Sequence, residues 1–202
     1  VGVCFEPLQP SPQSRTAGLE PPDPWRFGSH FIRAAQVLEA HGVEPVYAGA
    51  DIRVQRVSFC PVGQDVAIVS PDGTVAACYL LQREWEAQGL DLRLGRVEDG
   101  TVRLDPQAIA SVRRLNVYNK PVCARCFCKW HCAGGCHVNH GPTGPQGAYD
   151  RLCLQTRIIT ARNVLHAMGE DDLVRAWIGD PAACQRSIGQ PSDLLLDLEE
   201  PT

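Results

Sequence analysis

The cysteines constrain this chain more than any other feature. Ten occur in 202 residues, against a single methionine, and six of the ten lie between positions 123 and 153. The surrounding stretch, residues 116–153, has little apolar periodicity of helix or strand type, so it is expected to fold around something bound. The start of the chain lacks a charged stretch followed by an apolar core and a small-residue cleavage site, so a cytoplasmic protein is expected. In that compartment disulfides are rare, and metal or redox chemistry is the better reading of many cysteines. No run approaches the ~20 apolar residues that span a bilayer, so no membrane association is expected. A net charge of −4 and a pI near 5.9 argue against nucleic acid or acidic lipid as partners. At 44% hydrophobic the chain can bury a core, which excludes disorder as its main state, and its 16 prolines and 18 glycines follow no collagen period.

Residues 1–8 read as a short apolar strand broken by Pro7, and residues 9–24, rich in Pro, Ser and Gly, as a loop. Asp23-Pro24 is an N-cap followed by a first-turn proline. Phe27, Phe31, Ala34, Ala35 and Leu38 follow at helical spacing, with Gly42 as C-cap and a second strand at 43–47. One strand–helix–strand unit cannot cover its own apolar faces and is expected to pack on neighbours outside these residues. The start at Val1 rather than Met leaves open a fragment or an unusual start codon. Strands are expected at 54–59, 66–69 and 74–78, the last two joined by a tight turn at Ser70-Pro71-Asp72-Gly73. A short helix at 79–88 closes at Gly89, and Asp105-Pro106 opens another helix running to about Leu115. Leu154, Ile158, Ala161, Leu165 and Met168 form an amphipathic stripe; a short helix at 173–178 follows, then an acidic tail from about Gln185, expected to fray.

The dense segment reads CARCFCKWHCAGGC, a C-x2-C-x5-C-x3-C skeleton of Cys123, Cys126, Cys132 and Cys136, with Cys153 farther on. A C-x2-C pair turns two thiolates toward one centre. Gly134 and Gly135 let the backbone approach a cluster and aim N–H groups at its sulfurs. Upstream, Cys60 and Cys78 bracket the tight turn, and Gly73 precedes Cys78 by a four-residue spacer.

The full order, C-x12-G-x4-C, gap, C-x2-C-x5-C-x3-C, gap, C, resembles the seven-cysteine signature of the SPASM domain, the auxiliary-cluster module at the C-terminus of many radical S-adenosylmethionine enzymes. Residues 54–168 carry the match, with all seven cysteines and Gly73 in register. Residues 1–50 are similar to the end of the partial (β/α) barrel that precedes it. The resemblance implies an α/β chain: a barrel remnant over 1–50, a SPASM module of β-hairpin and helices over 51–170, and a C-terminal helix and acidic tail over 171–202. It also implies two 4Fe–4S clusters. Cys60, Cys78 and Cys136 would hold auxiliary cluster I, and Cys123, Cys126, Cys132 and Cys153 auxiliary cluster II. Sending the last cysteine of a run to the other cluster has precedent in two-cluster ferredoxins. Cluster I is then one ligand short, to be met by Cys128, Cys184, a non-cysteine group, or an iron left open. The implied function is oxidative modification of a peptide or protein substrate. A 5′-deoxyadenosyl radical would abstract hydrogen, and the auxiliary clusters would accept the electron or bind substrate.

Such enzymes bind S-adenosylmethionine at a C-x3-C-x2-C cluster, and these 202 residues contain no such triplet. The chain alone should therefore not cleave S-adenosylmethionine, and a radical domain or partner would have to supply that step. An acidic residue follows the G-x4-C cysteine in the sulfatase-maturating branch; here Tyr79 does, which favours a peptide-modifying maturase. A stand-alone electron-transfer or docking module and a zinc-stabilised interaction domain are the alternatives, since C-x2-C pairs also bind zinc. Trp130, His131 and His137 are expected to pack around the ligands and exclude water, and His140 to be exposed. Cys4 is expected to be a buried small hydrophobe. Arg113, Arg114 and Lys120 read as a solvated basic face. Glu6 is a weak candidate for a barrel-edge contact.

Overall fold

The computed structural model describes residues 1–9, 16–62, 64–140 and 149–189. The expected 9–24 loop and the tail expected from about Gln185 both lie partly outside them; residues 185–188 are helical rather than frayed. Strand β1 (Gly2–Cys4), helix α1 (Pro24–Ala40) and strand β2 (Glu44–Val46) form one βαβ unit, with β1 parallel to β2 and Cys4 opposite Val46. The Asp23 carboxylate accepts the Arg26 N–H and Pro24 fills the first turn, so the chain enters α1 as the cap signal predicts. Among the described residues the unit's sheet has two strands, and all three residues of β1 are exposed. Cys4 is therefore exposed rather than buried; its thiol faces the Glu6 carboxylate at 3.7 Å.

The second sheet is an antiparallel meander: β3 (Ile68–Val69), β4 (Thr74–Ala76), β5 (Arg93–Glu98) and β6 (Thr101–Leu104). The turn between β3 and β4 falls at Pro71-Asp72-Gly73, with Gly73 at φ 83° and the Ser70 N–H bonded to the Thr74 carbonyl at 2.9 Å. Residues 54–59 do not form a strand. They run as an irregular segment held to a later loop by Arg56 N–H to the Trp130 carbonyl (2.7 Å) and Val117 N–H to the Val57 carbonyl (2.9 Å). Helix α2 (Gln82–Glu86) precedes β5; α3 (Pro106–Arg113) follows β6, with the Asp105 carboxylate capping its first N–H groups. Val75, Ala77, Trp85, Leu92, Leu94 and Val112 form the core between this sheet and its helices.

Two short helices, α4 (Lys129–Cys132) and α5 (His137–His140), sit in the cysteine-rich segment, after single 3₁₀ turns at Val117–Asn119 and Pro121–Cys123. Helix α6 (Arg151–Ala167) is the central strut, followed by α7 (Asp171–Gly179) and α8 (Pro181–Ile188). Helix α1 packs on α6 closely enough that a Cβ on Gly28 would stand 2.7 Å from Ile158. The expected stripe on α6 is too narrow. Gln155, Thr156, Arg157, Ile158, Ile159 and Thr160 are all buried, while Met168 is exposed. Ile159 meets Phe31, Ala35 and Tyr47; Ile158 meets Ile32, Val174 and Ile188; and the face bearing Cys153 and Arg157 turns toward the cysteine-rich loops.

Candidate metal centre

The seven cysteines of the signature line two separate cavities. Cys60, Cys78 and Cys136 line one of about 210 Å³, walled by Phe59, Val62, Ile68, Leu80, Leu92 and Val138. Cys123, Cys126, Cys132 and Cys153 line another with about 20 Å³ of free space, room for roughly one water. Irregular segment 54–59 delivers Cys60, the strand after the Gly73 turn delivers Cys78, and α6 delivers Cys153 from its first turn. Of the two spare cysteines, Cys128 belongs to the second cavity, with its sulfur 3.3 Å from that of Cys126. Cys184 is in the apolar cluster of Ile32, Ile158, Val174 and Ile188, where burial pushes its thiol up to about 11. Neither reaches the first cavity.

Backbone strain parts the run. Ala133, Gly134 and Gly135 adopt φ of 52°, 79° and 62° in succession. Three left-handed residues reverse the chain between Cys132 and Cys136 and send neighbouring thiols to different cavities. Ala133 accepts this at a cost of about 1–2 kcal/mol. Gly135 has no alternative, because a Cβ there would stand 2.1 Å from His140 Nε2.

Several sulfurs receive backbone hydrogen bonds from the residue two positions on: Cys60 from Val62, Cys78 from Leu80, Cys126 from Cys128 and Cys132 from Gly134. Such bonds favour the thiolate. Burial acts against them. It pushes the thiols of Cys60, Cys78, Cys123 and Cys153 up, and that of Cys132 to about 12. Cys126 runs the other way. The hydrogen bond from the Cys128 thiol and the Arg157 guanidinium outweigh its burial and pull it down to about 6, while Cys128 is pushed well above its ordinary value.

Sequence reasoning missed three functional contacts. Arg157 is wholly buried: it donates from Nη1 to the Cys126 sulfur at 3.2 Å and from Nε to the Ile188 carbonyl at 2.6 Å, and its guanidinium lies 4.0 Å from the Tyr149 ring centre. The C-x3-R spacing of Cys153 and Arg157 on one helix was the available signal. Lys120 does not belong to a solvated face, although Arg113 and Arg114 are exposed. Its ammonium donates to the Gly134 carbonyl at 2.6 Å; burial pulls its pKa down while the Cys123, Cys132, Cys153 and Cys136 thiols push it back. His140 is not exposed either, its side chain being 8% accessible. Its Nδ1 lies 3.0 Å from Asp150 Oδ2 and 3.6 Å from the Cys153 sulfur. Of the remaining aromatic and histidine side chains, Trp130 packs with Val117, Val122 and Cys123, and His131 Nδ1 meets the Val54 carbonyl at 3.3 Å.

Thiol spacing bears on what fits. Among the described residues the one set of three donor groups within 4.8 Å of one another is His140, Asp150 and Cys153, so no three thiols converge that closely. Tetrahedral zinc, with Zn–S near 2.3 Å, needs sulfurs about 3.8 Å apart. No three thiols come within 4.8 Å of one another among the described residues, whereas Cys153 does so with His140 and Asp150. The donor set fits thiolate-bound metal chemistry, and the buried Arg157 and Lys120 offset the charge such a centre brings.

Comparison with known proteins returns no match: no family model, no curated protein and no solved structure aligns with the chain. Among the described residues no helix is long and apolar enough to cross a membrane.

Proposed function

We propose that this chain is a SPASM-type iron–sulfur module that serves a radical S-adenosylmethionine maturase acting on a peptide or protein. One observation carries the reading: the seven cysteines of the spacing signature divide between two cavities as three and four, with Cys136 parted from the run that contains it. Cys60, Cys78 and Cys136 hold one cluster, and Cys123, Cys126, Cys132 and Cys153 the other. Bound there, 4Fe–4S clusters supply one-electron chemistry at potentials set by charge, hydrogen bonding and solvent access. The residues of the chain do the rest. Backbone N–H groups and Arg157 donate to the sulfurs, Lys120 supplies positive charge between the two groups, and Phe127 and Tyr149 cover the second site. The first cavity is the roomier, and Tyr79 beside it is 82% exposed, so substrate approach is assigned to that side. Generation of the radical belongs to polypeptide outside these residues, in the same chain or in a partner, because no C-x3-C-x2-C is present.

A zinc-stabilised interaction domain is the second reading, favoured by the convergence of His140, Asp150 and Cys153. Anaerobic reconstitution with iron and sulfide, followed by metal counting and visible absorption, separates the two. The cluster reading expects roughly eight irons per chain and a broad sulfur-to-iron charge-transfer band. One or two zincs with no such band would refute it.

A further inference from the structure

The first thiol group is one ligand short, and both spare cysteines lie elsewhere. Cys128 is beside Cys126, and Cys184 is in the apolar cluster around Ile158. Tyr79, His137 and Asn139 also line the first group's cavity, and of the three His137 alone is buried and is a common metal ligand. His137 follows Cys136 directly and opens α5, so the turn that delivers the Cys136 thiol also delivers an imidazole. The residue is 5% exposed, and neither Nδ1 nor Nε2 has a hydrogen-bond partner. A buried polar group left without a partner costs about 1–3 kcal/mol, so an imidazole with both nitrogens orphaned demands an occupant. The Leu115 carbonyl lies near enough to favour a proton on the ring, yet outside hydrogen-bonding geometry. A neutral imidazole with one nitrogen toward a backbone carbonyl and the other toward a cavity is the usual arrangement of a metal-bound histidine.

We propose that the His137 imidazole is the fourth ligand of the centre held by Cys60, Cys78 and Cys136, giving that site a Cys3His donor set. This rests on the iron–sulfur reading above. Histidine in place of cysteine is an established way to raise a cluster's potential, because a neutral ligand replaces an anionic one. The imidazole therefore raises the first cluster's potential above that of the same site with a fourth thiolate, and gives its fourth iron a protein ligand.

The test uses the full chain, reconstituted anaerobically with iron and sulfide after growth on ¹⁵N-histidine, then reduced and read by pulsed electron paramagnetic resonance. One of two clusters should show a directly coordinated ¹⁵N. The coupling should vanish in His137→Asn. In His137→Cys both clusters and the iron count should persist, without the nitrogen coupling and with the first cluster's potential shifted downward. His137→Cys keeps a ligand in place, so it decides the matter even if His137→Asn fails to fold. Two intact clusters without nitrogen coupling, or coupling that survives either variant, overturn the inference while sparing the iron–sulfur reading. No cluster signal in the wild type overturns both.

Discussion

The two thiol groups are built from the same residue type and differ in almost everything around it. The first is roomy and apolar, with about 210 Å³ of space. Burial dominates there and pushes Cys60 and Cys78 up, with a weak Lys120 influence on Cys60 alone. The second has about 20 Å³ of space, a buried guanidinium 3.2 Å from one sulfur and a thiol pulled down to about 6. The lesson is that the spacing of cysteines chooses the partners, while the buried cations decide which site is preorganised for negative charge. A preorganised, closed site suits electron storage or transfer, and an open one suits contact with a second molecule.

The comparison breaks most completely at the turn that creates it. Gly135→Ala adds a methyl group in a left-handed backbone against the His140 ring. Denaturant melts should show a loss of more than about 2 kcal/mol, and iron loading should fall at both sites together. Loss at one site alone would mean that the turn does not set the division. Arg157→Met comes next. It removes the donor to Cys126 and leaves the Ile188 carbonyl without its partner. Stability should drop by about 3 kcal/mol in the metal-free chain, and the second cluster's potential should fall while the first holds. Equal shifts at both clusters would show that the cation is shared. The smallest effect is in pH. Bound metal requires thiolates, so loading releases protons and weakens as pH falls. Cys126 is pulled down by the Cys128 thiol and the Arg157 guanidinium, whereas burial pushes Cys60, Cys78, Cys123, Cys132 and Cys153 up. Thiols in both groups are pushed up, so iron loading on reconstitution should fall at both sites from pH 9 to pH 7; loading unchanged over that range would contradict thiolate ligation.

Local signals were legible where they are local in cause. The Pro71-Asp72-Gly73 turn and the caps at Asp23-Pro24 and Asp105-Pro106 stand where the sequence puts them, because each depends on a few adjacent residues. The same cap signal at Asp180-Pro181 opens α8, in a stretch whose later residues read as tail. The β5–β6 hairpin was missed although Asp99-Gly100 supplies its left-handed turn and Val102 and Leu104 alternate with Thr101 and Arg103; four residues are a short run, and all of β6 is exposed. Segment 54–59 has strand-like residues but no strand beside it, and propensity alone does not make a ladder. The burial of Arg157, Lys120 and His140 is a tertiary property: each is enclosed by loops remote in sequence, and only their assembled neighbours make a charged or polar side chain acceptable there.

The central claim is that one cysteine run serves two centres. Cys132→Ser and Cys136→Ser, four positions apart, test it when each is reconstituted in iron and sulfide and its clusters are resolved by electron paramagnetic resonance. The account predicts that each variant keeps roughly half the iron of the wild type, one 4Fe–4S cluster of two, and that the surviving signals differ between them. Loss of the same signal from both variants would contradict it.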